Sequence, residues 1–514
     1  MLWPRWLFLR ALGLIFGSAF YSLLVQIHGL IGPRGILPAG SYLDALGQAT
    51  SWAARVWTAP TLLWLGSGDR ALTVLVGAGL IAAGLLTLNV WPRVMAATCT
   101  LVFLSCVAAL QDFSSYQSDG MLLQAGVAAV LLAPHGLRPG LGAVSPPAWA
   151  SVWLLRWEWF SIYFGSGVVK LLSGDPQWRT LTAMDHYYEN SPLPSWVGWY
   201  AEQLPHSVHT ATALLTLVVE LVTPWVLLFP RRPRLAIAVL LTGFQIGIIA
   251  TANYAFLNYL VLALGVFLVD DQAVVGVGRW IAAQARRVVG RAGALTATDV
   301  GERAVPPRRP IVVRPAPARR WVERISTVAL VVTVYVSLVS FLDPWLPASF
   351  GAPARLVAPF RMANAYGLFA VMTTAEYEIE FQGLRADSVW IAYPFRYKPQ
   401  DPNVAPGLYA PYQPRFEWNL WFASLGPWTD NPWVETTQAR LLTGEPSVLA
   451  LFAGNPFASA PPIAVRTVIW RYWFTDAPTR RRTGRWWNRE LLGVYAGVVT
   501  RSTNGSLQFN GNGE

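Results

Sequence analysis

Long apolar runs separated by short polar turns occupy the first two thirds of the chain, at roughly 6–30, 71–91, 94–110, 120–133, 148–172, 208–230, 234–252, 255–270 and 324–343. A helix needs about 20 apolar residues to cross the hydrocarbon core of a bilayer, so this pattern predicts about nine spans. The run at 120–133 is short and follows the polar Gln117-Ser118-Asp119-Gly120, which predicts a tilted or re-entrant helix. Gly13 and Gly17 in the first run, and Gly243 and Gly247 in the seventh, have the GxxxG spacing that lets helices approach closely. After residue 343 the period shortens. The segments from Tyr377, Val389 and Val465 alternate as strands do, and those from Pro432 and Pro446 read as two short helices. The fold class is therefore a polytopic α-helical membrane protein with a C-terminal extracytoplasmic β-rich domain. Its expected parts are a helical bundle at 1–271, a basic linker at 272–323, a last span at 324–343 and the β-rich domain at 344–514.

Composition agrees with that class. A chain of 514 residues that is 54% hydrophobic and 13% charged cannot be a water-soluble globule of ordinary type. The first run lacks a small-residue cleavage pattern and reads as a retained signal anchor. The net charge of +11 is concentrated: eleven arginines face three acids between Gln272 and Arg324, and Arg231, Arg232 and Arg234 fill the turn before the seventh run. Arginine-rich loops stay on the cytoplasmic side, which places the amino terminus inside and everything after about Leu342 outside. The amphipathic basic stretch 278–291 reads as an anchor on anionic lipid, and no nucleic-acid partner is expected. Cys99 and Cys106, seven residues apart on one helix, would stand about 10 Å apart along its axis, beyond disulfide reach.

Candidate chemistry centres on Tyr163–Glu189. Lys170 ends an apolar, glycine-spaced helix and is one of only two lysines, the other being Lys398. An ammonium can be desolvated to a neutral base whereas a guanidinium stays charged, so Lys170 could be a base. Alternatively it pairs with Asp175 and orders the following loop. Lys170, Asp175 and His186 fall near one membrane face and form the candidate catalytic set. His206 and His209 have a spacing compatible with one metal, but without a carboxylate cluster they read as the start of an interfacial helix, and no metal or cofactor is expected. Arg156 and Glu158 are the sole prompt for a transporter, and at that spacing they do not face each other on a helix. No GxSxG, HExxH or Walker pattern is present. Trp418, Trp421, Trp433, Trp486 and Trp487 are candidate client-binding residues, unless their rings fill the core of the domain.

At these residues the chain resembles the lipase maturation factor family. The pattern SGxxKLxSGDxxWxxLTA occurs at 166–183, with LIGPRGILP at 30–38, FSSYQSDG at 113–120, YGLFAVMTT at 366–374, YPFRYKP at 393–399, QPRFEWNLWF at 413–422, NPF at 455–457 and WWNRE at 486–490. The family pattern is departed from at Asn190-Ser191, around Glu376, and at Ala252-Asn253-Tyr254. The resemblance implies a membrane factor that helps secreted lipases fold and assemble, in the endoplasmic reticulum of animals. The arginine bias and length suggest a bacterial plasma membrane here. Tyr163, Phe164, Gly167, Lys170 and Leu171 also resemble, more distantly, the membrane domain of vitamin K-dependent γ-carboxylases, which would make Lys170 a base.

The reading adopted is a maturation or folding factor, not an enzyme, with lipases as clients and membrane lipids as neighbours. The alternative is a carboxylase-like membrane enzyme using Lys170 on a lipid-soluble substrate.

Overall fold

A computed structural model describes residues 1–292 and 317–510, apart from 503 and 505. In the basic linker, residues 306–316 of the Pro/Arg-rich run 306–320 lie outside the described residues. Each of the nine apolar runs is helical. The main helices are Leu2–Ile31, Asp69–Thr87, Pro92–Val107, Gln117–Leu132, Trp149–Leu172, His206–Leu221, Arg231–Thr251, Leu257–Gly265 and Pro317–Leu342. Among the described residues, five helices are long and apolar enough to cross a membrane by themselves, His206–Leu221 with its 3-10 extension to Leu228 among them. Leu257–Leu268 and Asp271–Ala285 meet at 109°, so the basic amphipathic helix turns away from the span before it. A surface-lying helix has that orientation.

The glycine pairs behave differently from their spacing. A Cβ on Gly13 would lie 2.4 Å from Thr87 Oγ1, so close packing holds there, whereas Gly17, Gly243 and Gly247 face open space. The seventh-run motif is thus not a packing seam within this chain.

The C-terminal domain is built on one antiparallel sheet in the order β2-β1-β3-β4-β5. Its strands are β1 Glu376–Leu384, β2 Trp390–Ala392, β3 Ala464–Phe474, β4 Trp487–Arg501 and β5 Leu507–Asn510. In register, Ile379 faces Ile469 and Tyr472 faces Arg489. Helices Arg415–Ser424 and Trp433–Leu442 pack on this sheet, making the domain α+β in character where alternation alone predicts mostly β. The sheet and the bundle share a core: one continuous cluster of buried apolar side chains runs from Phe8 to Val499. At Gly29 a Cβ would sit 2.5 Å from Ser447 O, so the first helix touches the C-terminal backbone directly.

Polar latches hold the same boundary. Arg415 and Asp119, both fully buried, form a bidentate pair at 2.7 and 2.8 Å, and Arg415 also donates to Phe113 O. Asn253 donates to Leu193 O and Gly407 O and accepts from Tyr409 N and Ala410 N, tying a helix-connecting turn to the loop before Arg415. The two lysines share one fate: each is buried against a carboxylate, Lys398 with Glu378 in the domain and Lys170 with Glu220 in the bundle.

Candidate functional site

Lys170 lies in the last turn of Trp149–Leu172, where the helix meets the irregular strap 366–374. Its Nζ is 2.9 and 2.8 Å from the two oxygens of Glu220, and it donates to Leu368 O at 2.8 Å. The ammonium also lies 5.1 Å from the Trp178 ring centre and 5.8 Å from that of Phe369, where the ring faces favour a cation. Lys170 is 1% exposed. The partner expected from sequence was Asp175, and the structure corrects this. Asp175 accepts from Gln177 N at 3.0 Å, capping the next short helix, and from Met372 N at 2.7 Å. Glu220 lies fifty residues from Lys170, within an apolar run, and only helix packing brings the two together.

The strap is stitched to the lysine segment almost residue by residue. Ser166 Oγ accepts from Leu368 N, Lys170 donates to Leu368 O, Trp178 donates to Phe369 O, Asp175 accepts from Met372 N and Asn190 donates to Thr373 O. A Cβ on Gly165 would lie 2.5 Å from Tyr366 O, so the strap lies directly against the helix backbone. An irregular segment carries backbone groups that no ladder satisfies, and these five side chains satisfy them. Two motifs nearly two hundred residues apart in sequence are therefore the two sides of one junction.

The candidate catalytic set does not converge. His186 is half-buried and its ring makes no hydrogen bond among the described residues. The histidines that do cluster are His206 and His209, whose Nδ1 atoms both lie 2.9–3.0 Å from Asp185 Oδ1. Among the described residues no group of three or more His, Cys, Asp or Glu could hold a metal. Lys170 is also poorly placed to act as a base, because the carboxylate and the carbonyl that its Nζ meets are both acceptors and hold it as the donating ammonium. Arg156 donates to Phe267 O, while Glu158 is fully buried with neither oxygen partnered, so the two do not form a pair.

The tryptophans are mostly core. Trp418, Trp433 and Trp487 are 4%, 2% and 1% exposed, and Trp421, at 9%, donates to Glu376 Oε2. Trp433 packs edge-on against Phe113, and Trp487 lies tilted against Phe474 with ring centres 4.4 Å apart. Trp486 is half-buried, held between Trp199 and the Arg480 guanidinium, which lies 3.6 Å from its ring centre. Indoles sealed this way do not form an exposed client-binding face. Each is large enough to span the gap between sheet and helices, and that use of aromatic area wins.

Beside Lys170 the helices enclose a cavity of about 250 Å³, with the Lys170–Glu220 pair in its wall. A second cavity of about 330 Å³ lies beneath the C-terminal domain, bordered by Trp418 and Trp421. Leu368, Phe369, Tyr187 and Leu257 line both.

Apolar helices of membrane-spanning length, joined to a sheet-containing C-terminal domain through the strap, define an integral membrane protein. Residues 3–276 match the model of the lipase maturation factor transmembrane domain and residues 362–497 that of the lipase maturation factor C-terminal domain. The chain is 32% identical to lipase maturation factor 2 of Homo sapiens, across 95% of its own length and 81% of that protein's. It is 30% identical to lipase maturation factor 1 of Bos taurus, across 97% and 89% of the two chains, and 32% identical to that of Mus musculus, across 96% and 86%. No solved structure matches. The chain belongs to the lipase maturation factor family.

Proposed function

We propose that this chain is a membrane-embedded maturation factor for lipases. The observation that carries the reading is the family match through both domains, with the shared motifs forming the latches between bundle and C-terminal domain. A folding factor must hold apolar surface on an unassembled client and release it once that surface is buried. Because most of the tryptophans are core, we assign client contact to exposed apolar side chains at the rim of the second cavity: Val371, Phe422 and Leu425. Lys170 and Asp175 act by holding the strap that presents Val371, and His186 has no role in that junction.

We further propose nine crossings, with the amino terminus and linker 272–323 cytoplasmic and the domain 344–514 outside. A bacterial plasma membrane is the compartment that suits the arginine bias, with lipids as the remaining partners.

The test is secretion of an active lipase from cells lacking this chain, complemented with wild type or variants. Val371→Asp together with Phe422→Asp should abolish the gain in active lipase without loss of membrane-inserted protein, and Lys170→Arg should retain most of it. A folded Lys170→Arg with no activity, beside a fully active Val371→Asp/Phe422→Asp, would overturn the assignment.

A further inference from the structure

The cavity beside Lys170 has an opening and unused chemistry. Helices His206–Leu221 and Arg231–Thr251 both line it, through Thr212 and Thr216 on one and Phe244 and Gly247 on the other. Each packs on other elements, His206–Leu221 on the lysine helix and Arg231–Thr251 on Leu257–Gly265, with no extended packing between the two. Their outer faces carry exposed apolar side chains, including Leu214, Val218, Val239 and Ile246, as a lipid-facing surface does. The gap between them therefore opens sideways, toward bilayer, and Gly247 at its edge faces open space.

Inside, the wall is mainly apolar but holds a built polar site. Gln245 Nε2 donates to Tyr163 Oη at 2.8 Å, and Asn258 Nδ2 donates to Gln245 Oε1 at 2.7 Å. Tyr163, Gln245 and Asn258 are each at most 5% exposed. This chain of bonds leaves the Tyr163 hydroxyl proton and Asn258 Oδ1 without protein partners among the described residues, one donor and one acceptor. The charged groups of the wall, Lys170 and Glu220, are already paired with each other. A ligand carrying net charge would find no counter-charge to spare.

We propose that this cavity binds a lipid with a single hydrocarbon chain and an uncharged hydroxyl head, which enters from the bilayer between the two helices. A hydroxyl both donates and accepts, matching Asn258 Oδ1 and Tyr163 Oη, and its chain lies along the apolar wall. The left-handed Phe369, φ 56°, and Tyr187 close the inner end. At about 250 Å³ the cavity is slightly smaller than the range of about 300–1,000 Å³ usual for small-molecule sites, so the head and the first part of the chain lie inside and the rest extends through the opening into the bilayer. Fatty glycerol esters and isoprenoid alcohols share this chemistry.

The test is photolabelling of the full chain in nanodiscs with a diazirine-tagged monoacylglycerol, and separately with the corresponding diazirine-tagged fatty acid. The monoacylglycerol probe should label peptides of 206–221 and 231–251, and the charged probe should label them roughly tenfold less. Gly247→Trp, at a position where an added Cβ meets nothing within 4 Å, puts an indole at the opening and should reduce labelling to a similar extent. Gly243→Trp is an equally open position one turn away that does not line the cavity, and it should label as wild type does. Competition by unlabelled monoacylglycerol or by a long-chain isoprenoid alcohol identifies the natural class. Equal labelling by the two probes, equal labelling of Gly247→Trp and wild type, or competition by neither alcohol would overturn the assignment. Labelling is read on the chain itself, with no client present, so its failure is distinguishable from failure of the lipase assay.

Discussion

Removing the Lys170 ammonium should cost more stability than removing its ion pair altogether. Lys170→Met leaves the buried Glu220 carboxylate facing an apolar side chain, at a cost of about 3–5 kcal/mol, whereas Lys170→Met with Glu220→Gln removes both charges and should recover much of it. Denaturation of the detergent-solubilised single and double variants measures the coupling, and a double variant no more stable than Lys170→Met would show that the pair does not act as a unit. Glu417 gives a second residue-scale expectation. Burial pushes its carboxyl up to about 7, against the hydrogen bonds it accepts from the amides of Arg396, Tyr397 and Lys398 and the nearby Lys398 charge. Its folded pKa exceeds its unfolded one, so its contribution is complete below the ordinary glutamate value near 4.5 and is lost as pH rises through about 7. Thermal unfolding from pH 5 to 8 should show the wild type losing stability relative to Glu417→Gln, by up to about 3 kcal/mol; parallel curves would exclude this group as the source. Lysine scarcity pointed to Lys170, because an ammonium can be desolvated to a neutral base where a guanidinium stays charged. Its carboxylate was not legible. Asp175 was the near acid in sequence, but proximity along a chain says little about which helix faces which.

Among the elements, the apolar helices were readable because each must hide its own backbone and present a nearly continuous apolar surface to lipid. The missed elements lack such a signal. Helix Arg415–Ser424 is buried almost all round, apart from Phe422, so its sequence shows no polar face to betray a helical period. Strand β4 runs through Gly493 at φ 148° beside a register shift against β3, and this interrupts its alternation. Carboxylates Glu376, Glu378 and Glu380 all lie buried along one face of β1, where Lys398, Gln400, Trp421 and Trp470 meet them from neighbouring segments. The latch between elements that should matter most is Arg415 with Asp119. Arg415→Met leaves a wholly buried carboxylate unpaired and should destabilise the domain junction by about 3–5 kcal/mol, while Arg415→Met with Asp119→Leu should be far milder. Limited proteolysis between the last long helix and β1 reads this out: faster cleavage is expected in the single variant, and unchanged cleavage would mean that the shared apolar core holds the domain unaided.

At the scale of the whole molecule, the hydrogen bonds place the arginine anchors at one end of the bundle and the contacts to the C-terminal domain at the other. Arg5 donates to Leu141 O, Gly142 O and Ser145 O, Arg93 to Ala133 O, and Arg231 pairs with Asp270, all at the end of the bundle away from the C-terminal domain. Gln26, Lys170 and Asn253 bond to the domain and strap at the other end. If the arginine-rich end is cytoplasmic, as positive charge near short loops requires, the domain must be exported, and an odd number of crossings separates the two termini. A reporter active only in the cytoplasm should then stay silent when fused after Glu514 and report strongly when fused in the linker near Gly301. The latched architecture sharpens the test. Because Arg415 and Asn253 lock the domain to the bundle, a membrane chain with the domain inside could not form these bonds without inverting every helix. Strong signal after Glu514 with none from the linker would therefore mean the whole bundle is inverted, whereas signal at both sites would mean that the last helix fails to cross.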